Sequence, residues 1–285
     1  MTSTAPAAGT VTLGGELTVS RLGFGAMRLT GKGIWGPPED PDECVRVLRR
    51  AVELGVTFID TADSYGPYVS EDLIAQALAP YADGLVVATK GGLLRTGPNQ
   101  WHPCGRPEYL RQEVEMSLRR LRLERIDLYQ FHRIDPLVAL EDSLGELRAM
   151  QQEGKIRLIG ISNVTVPEIE QARKVVDVVS VQNLYNLADR TSEAVVDYCT
   201  GHGIAFIPWF PLATGKLAAA GGALAAAAER HGVAPAQLAL AWVLQRSPVM
   251  LPIPGTSKVA HLEENLKAAQ IELSADEFAE LEKAA

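Results

Sequence analysis

Four residues in the first half of the chain have types that could share one reaction: Asp60, Tyr65, Lys90 and His132. A phenol ionises near pH 10, so it is a poor acid at neutral pH unless a cation stabilises its phenolate. A lysine ammonium at hydrogen-bond range supplies that cation. At roughly 4 Å and an effective dielectric near 20 the attraction is about 4 kcal/mol, an upper bound of about three pKa units. A carboxylate beside the lysine keeps it charged but opposes the phenolate, so the expected lowering is smaller. A histidine could then donate a hydrogen bond to a carbonyl oxygen and stabilise a developing alkoxide. None of the four is a strong nucleophile, and no metal-ligand spacing is present. What remains is general-acid donation of a proton to an oxyanion, with hydride arriving from outside the protein.

Such a reaction needs elements that bring distant residues together. Short apolar runs alternate with amphipathic stretches along the chain. The runs predict strands at Leu22–Gly25, Thr57–Asp60, Leu85–Thr89, Asp127–Phe131, Arg157–Ile161, Val178–Gln182, Ala205–Trp209 and Met250–Ile253. Helical patterns lie between them at Pro41–Leu54, Ser70–Leu78, Pro107–Leu121, Pro136–Gln152, Pro167–Val175, Ser192–His202 and Pro235–Gln245. Lys258–Ala268 and a segment from Ser274 follow, and Leu217–Ala228 reads as a loop and short helix. Pro or Ser at several starts suits a helix N-terminus. Repeated βα units with no break in composition predict an α/β fold, a single closed (β/α)8 TIM barrel, with a doubly wound open sheet as the alternative. Val11–Val19, around Gly14-Gly15, predicts an N-terminal β-hairpin over the end away from the site. Residues 1–9 read as disordered.

The site of a parallel barrel is built from the C-terminal ends of its strands. Asp60 ends the second run, with Tyr65 one short loop further on. Lys90 ends the third and His132 the fourth; Ser162-Asn163, Gln182-Asn183 and Trp209 end the next three. Taken singly, an Asp there usually caps a helix, a Lys is usually solvated and a His is usually structural. Their position at adjacent strand ends favours one shared site over four separate explanations.

The 285 residues carry 27 Lys and Arg against 35 Asp and Glu, a net charge of −8 that argues against a nucleic-acid partner. Cys44, Cys104 and Cys199 are far apart and odd in number. That spacing favours a reducing, cytoplasmic setting over disulfides. The first residues lack the charge and apolar core of a secretory leader, and no apolar run has the length of a membrane span.

With those residues in place, the chain resembles the aldo-keto reductases. The resemblance rests on LGFGAM (Leu22–Met27), FIDTADSYG (Phe58–Gly66), ATKGG (Ala88–Gly92), QFHRID (Gln130–Asp135), GISN (Gly160–Asn163), SVQNLYN (Ser180–Asn186) and IPGTSKVAHLEEN (Ile253–Asn265). It covers nearly the whole chain as one domain. It implies NADP(H), a catalytic tetrad of Asp60, Tyr65, Lys90 and His132, and reduction of a small carbonyl substrate. It further implies that Ser162, Asn163 and Gln182 bond the nicotinamide carboxamide and that Trp209 stacks on the ring, with Gly25, Met27, Phe210 and Leu212 beside the cofactor. The 2′-phosphate and adenine would meet Thr256, Ser257, Lys258, Glu264 and Asn265, a segment where a helix N-terminus also favours an anion. His261 stands where many relatives carry an arginine.

The loop after His132 is short, so the substrate pocket is expected to be open, with Trp35, Trp101, His102 and Tyr185 among its walls. The segments Gly36–Pro38, Gly66–Tyr68 and Pro254–Ser257 resemble the pyridoxal reductase (pyridoxine 4-dehydrogenase) branch, which implies a pyridine aldehyde or alcohol. Two other readings compete. A nicotinamide-binding regulatory subunit would need a docking extension, and an isomerase barrel would leave Tyr65, Lys90 and Trp209 without a role. No obligate macromolecular partner is expected, and the chain reads as a monomer or weak homo-oligomer.

Overall fold

In the computed structural model, which describes residues 5–211 and 223–284, the chain enters through a hairpin of β1 (Thr10–Leu13) and β2 (Leu17–Ser20). The hairpin pairs in register from Thr10↔Ser20 to Leu13↔Leu17. Gly14 and Gly15 both take positive φ at its tip, a conformation that costs glycine little. Of residues 1–9, expected to be disordered, 1–4 lie outside the described residues and 5–9 are ordered. Ala5–Ala8 form a 3-10 turn, with Ala5 buried and its N–H donated to Leu54 C=O.

A seven-stranded parallel sheet follows, and its strands pair in chain order. It contains β3 (Phe24–Gly25), β4 (Phe58–Asp60) and β5 (Val86–Gly91). A second antiparallel hairpin, β6 (Leu93–Gly97) with β7 (Gln100–Pro103), then interrupts the alternation. The sheet resumes with β8 (Ile126–Phe131), β9 (Ile156–Ser162), β10 (Val178–Gln182) and β11 (Ala205–Phe206). β4, β5 and β10 are buried at every residue, as strands covered on both faces must be.

The eighth predicted strand, Met250–Ile253, closes the ring without forming a regular ladder. Phe206 N–H donates to Val249 C=O, and Leu251 N–H returns to Phe206 C=O. On its other side Gly23 N–H donates to Pro252 C=O at 3.0 Å and Gly25 N–H to Pro254 C=O at 3.5 Å. Pro252 and Pro254 have no N–H to give back. The seam is therefore held by one-way bonds, and the architecture is the expected (β/α)8 barrel with one irregular quarter.

Helices cover the outside: α1 (Pro41–Glu53), α2 (Val69–Leu78), α3 (Pro107–Leu121), α4 (Leu140–Gln152), α5 (Val166–Ala172) and α6 (Glu193–His202). After them come α7 (Ala223–His231), α8 (Pro235–Arg246), α9 (Val259–Lys267) and α10 (Ala275–Ala284). Local chemistry starts several of them. Asp40 accepts from Glu43 N–H ahead of Pro41, and Thr165 with Glu168 forms a capping box. α4 begins at Leu140 rather than at the expected Pro136. Of the expected segment Leu217–Ala228, residues 217–222 lie outside the described residues and the rest belongs to α7.

Inside the barrel, Phe58, Val86, Leu128, Leu158 and Leu251 form one apolar cluster with Val11, Leu13, Leu17 and Val19 of the first hairpin. The hairpin thus plugs the bottom, as expected, and the polar strand ends gather at the top.

Behind β5 lies an ion cluster with no counterpart among the sequence expectations. Glu71 of α2 has no exposed side-chain surface; it accepts from Thr89 Oγ1 and from Arg120 Nε of α3, each at 2.6 Å. Arg120 also faces Glu113 at 3.5 Å. Arg120→Met would leave two carboxylates buried without their cation. It should cost about 3–5 kcal/mol in urea unfolding, and a loss under about 1 kcal/mol would show that the cluster holds α2 and α3 to the sheet only weakly.

Candidate active site

Each member of the expected quartet arrives on its own element. Asp60 is the last residue of β4, and Lys90 is the penultimate residue of β5. His132 directly follows β8. Tyr65 sits in the tight turn after β4, where Gly66 has φ of +107° and a Cβ would lie 2.4 Å from the Val69 Cβ.

Lys90 is completely buried, and all three of its protons are taken. Nζ donates to Asp60 Oδ1 at 2.5 Å, to Thr61 C=O at 2.8 Å and to Tyr65 Oη at 3.2 Å. Burial pulls its pKa down, but Asp60 and then Tyr65 more than offset that and hold the ammonium charged above its usual range. Asp60 Oδ2 in turn accepts from Gln130 Nε2 and Gln182 Nε2, both at 2.9 Å. Tyr65 accepts from Lys90, which leaves its own proton free for another acceptor.

The Tyr65 phenol is not lowered as the sequence suggested. Burial pushes it up, Lys90 pulls it down and Asp60 pushes it up again, with a net rise. Desolvation, which a cation and a phenol paired near the surface would largely escape, is the largest of these effects. The proton therefore stays on Tyr65 at neutral pH.

His132 is 8% exposed, and its ring lies edge-on to Tyr65 at 5.9 Å. Nδ1 meets Ser64 Oγ at 3.4 Å. Burial, then the charges of Lys90, Arg133 and Arg95, keep the imidazole neutral well below its ordinary pKa. It can offer one hydrogen bond without carrying a competing charge.

A groove of about 560 Å³ opens over this cluster. Of the expected residues, Gly25, Met27, Asp60, Tyr65, Gln182, Trp209 and Phe210 line it, with Arg28, Pro254 and Gly255. Beside them, Ser162 Oγ donates to Gln182 C=O at 2.8 Å. Asn163, at φ +59°, uses both amide protons within the protein, on His132 C=O and Ser162 Oγ. Its Oδ1 accepts from Trp209 Nε1 at 3.2 Å, which aims the indole at the strand ends. The polar rim therefore has mainly oxygen lone pairs left, an arrangement suited to a carboxamide N–H.

Thr256, Ser257, Lys258, Glu264 and Asn265 lie at and within α9, away from the quartet. Thr256 Oγ1 accepts from Lys258 N–H at 3.1 Å, and Lys258 is exposed. The first amide of α9, Val259 N–H, already donates to the Glu43 carboxylate of α1 at 3.2 Å. An anion at this helix end would share it with a resident carboxylate. Leu212 lies outside the described residues.

Two expected pocket walls are elsewhere. Tyr185 is fully buried between Phe206 and Trp242, and its hydroxyl donates to Glu193. It faces the core between barrel and helices, because the strand-end pattern alone could not tell an inward from an outward residue. His102 is exposed and bonded to Thr96, since alternation along β7 turns it away when Trp101 turns in. Trp101 does lie against Tyr65, ring to ring at 6.5 Å and near perpendicular.

Other participants went unread. Gln130 bridges Asp60 and Gln182, and its only sequence signal was a polar residue inside a buried run. Asp63 is 1% exposed, and neither of its carboxyl oxygens has a well-formed hydrogen-bond partner among the described residues. Burial, with the Glu113 and Glu71 charges nearby, pushes it well above the usual carboxylate range, against the opposing pull of Arg120 and then of the Ser64 amide.

Fold and site together define a barrel oxidoreductase with a tyrosine hydrogen-bonded to a buried lysine at the strand ends. The chain belongs to the aldo/keto reductase family, whose model matches residues 21–285. It is 59% identical to an uncharacterized oxidoreductase of Schizosaccharomyces pombe over 97% of this chain and 90% of that one. It is 43% identical to pyridoxine 4-dehydrogenase of Escherichia coli, covering 96% and 97% of the two chains. An aldo-keto reductase of Klebsiella pneumoniae, solved in complex with NADPH, superposes with a TM-score of 0.83 at 28% identity over 96% of this chain and 94% of that one.

Asp63 provides a test of the site's electrostatics. A carboxyl raised in the folded state stabilises the fold fully below the unfolded pKa of about 4. That contribution is lost as pH rises towards the folded value. Asp63→Asn should therefore raise the melting temperature at pH 7–8, with the gain shrinking to nothing near pH 4. A variant less stable than wild type at both pH values would show that Asp63 is ionised and held by partners.

Proposed function

We propose that the protein is an NADPH-dependent reductase of aldehydes or ketones, run reversibly, with Asp60, Tyr65, Lys90 and His132 as its catalytic residues. One observation carries the reading: at the floor of the groove Tyr65 accepts from a charged, buried Lys90 that Asp60 neutralises, so its own proton points to whatever enters. The bound nicotinamide would supply hydride to the carbonyl carbon. Tyr65 gives its proton to the carbonyl oxygen, and Lys90 stabilises the phenolate left behind. His132, neutral, orients that oxygen through a hydrogen bond. Ser162, Asn163 and Gln182 hold the carboxamide through their remaining oxygen lone pairs, while Trp209 packs on the ring between Phe210 and the strand ends. Lys258 meets the 2′-phosphate beside Thr256 and Ser257.

A pyridine aldehyde or alcohol such as pyridoxal or pyridoxine is the substrate class we favour. The likeness to pyridoxine 4-dehydrogenase and the aromatic groove rim support it. Three buried, unpaired cysteines suit a cytoplasmic setting. Following NADPH oxidation with pyridoxal against simple aldehydes tests the class, and turnover of aliphatic aldehydes alone would refute it.

Lys258→Ala should weaken NADPH binding roughly tenfold, about one charge-assisted hydrogen bond, and leave NADH binding unchanged. Equal losses for both would remove the phosphate role. Tyr65→Phe deletes only the hydroxyl. In single turnover it should slow hydride transfer at least ~10²-fold, the contribution of a positioned general acid, at unaltered NADPH affinity. Lys90→Met should cost a similar factor, and the double variant little more, because the two act as a unit. Hydride transfer at the wild-type rate in Tyr65→Phe would overturn the mechanism.

A further inference from the structure

Arg95, on β6, is outside the quartet and was not among the expected site residues. A guanidinium has five N–H donors in a fixed planar fork, and here each has a carbonyl. Nε donates to Gln100 C=O at 2.9 Å. Nη1 donates to Ile34 C=O at 2.8 Å and Ser64 C=O at 2.7 Å. Nη2 donates to Gly33 C=O at 3.0 Å and Gly97 C=O at 3.4 Å. These carbonyls belong to three segments: the loop after β3, the residue before Tyr65, and the β6–β7 hairpin. The faces of the fork are used as well. Its central carbon lies 3.5 Å from the Trp101 ring centre and 5.7 Å from that of Trp35.

With every donor taken, Arg95 has nothing left to grip a carboxylate or phosphate on a substrate. Its effect is mechanical. It ties the turn that carries Tyr65 to the hairpin that carries Trp101, and it sets the indole edge against the phenol. Trp35 N–H donates to Gly31 C=O, and Gly36 N–H binds Gly66 C=O at 2.6 Å, so the Trp35 loop and the Tyr65 turn are joined a second time. Trp35 on its loop and Trp101 on the two-stranded hairpin would otherwise be free to choose rotamers, and fixing them in advance removes that ordering cost from substrate binding.

We propose that Arg95 is a specificity-determining positioning residue, which clamps Trp101 and Trp35 into a rigid aromatic wall beside Tyr65 that selects flat aromatic carbonyl compounds over small aliphatic ones. The inference rests on the carbonyl-reductase reading. Its test compares benzaldehyde with propanal in wild type, Arg95→Lys, Arg95→Met and Trp101→Ala. Loss of the aromatic contact should cost benzaldehyde about two- to tenfold more kcat/KM than propanal, chiefly in KM. Lysine keeps the charge but lacks the planar fork, so Arg95→Lys should resemble Arg95→Met. The Arg95→Met, Trp101→Ala double variant should be no less selective than Trp101→Ala, as for two residues acting through one contact.

Full restoration by lysine would overturn the clamp, since charge alone would then suffice. An unchanged benzaldehyde-to-propanal ratio in Trp101→Ala would overturn the wall, even if Arg95→Met failed to fold. Calorimetric binding of benzamide, an unreactive aromatic carbonyl, separates the two levels of inference. Binding that weakens in Trp101→Ala, in a wild type that reduces no aldehyde, would sink the reductase reading and keep the wall. Equal binding in both variants and wild type would sink the wall and leave the reductase standing.

Discussion

An ammonium group with no exposed surface has to be neutralised where it stands, because no water can reach it. Lys90 meets that demand with a carboxylate, a backbone carbonyl and a phenol oxygen. Each partner comes from the β4 strand end or the turn after it, so the position of one charge fixes the position of that turn. Asp60 is fixed in turn by two glutamines from β8 and β10. The chain of bonds reaches across the barrel, and a shift in any of these strands would leave a buried polar group unpaired. That penalty is larger than the net worth of the hydrogen bonds themselves.

The groove lies over the least regular part of the ring. Gly25, Pro254 and Gly255 form one bank, where proline removes ladder donors, and Gln182, Trp209 and Phe210 form the other. At Gly25 a Cβ would lie 2.6 Å from Ile253 C=O, and at Gly255 2.5 Å from Gly25 C=O, so the seam closes only because both positions are glycine. A regular ladder here would bring the two banks to uniform strand spacing. The broken ladder lets the backbone turn away and leaves room above the strands.

The surroundings of Tyr65 and of α9 are built differently. Near Tyr65, Arg95 gathers loop carbonyls and indole faces into a stiff frame. At α9, charges of both signs lie close together: Glu43 takes the first helix amide and pairs with Arg46, and Lys258 stands exposed at the cap. A helix terminus already satisfied by a carboxylate offers a weaker field to a second anion than an open one would. The surroundings of Tyr65 are thus held by a rigid fork, and those of α9 by balanced charges.

Strand order, the barrel class and the four residues of the quartet were legible in the sequence, because each depends on a local signal: an apolar run, and a polar residue where the run stops. The bottom hairpin was legible for the same reason, through Gly14-Gly15. The eighth strand was legible as a run but not as a seam, since Pro252 and Pro254 matter only once the neighbours that lack their N–H are known. Tyr185 and His102 show where local signals end, because which way a side chain faces is decided by what packs on it. Arg95, Gln130 and the Glu71–Arg120–Glu113 cluster were invisible for a related reason: partners such as Ile34 and Ser64 for Arg95, Asp60 for Gln130 and Glu71 for Arg120 lie many residues away, and only folding brings them within bonding distance. The sign of the Tyr65 shift belongs with these. Sequence places a cation beside a phenol, whereas the depth of burial, a property of the tertiary structure alone, determines that desolvation outweighs it.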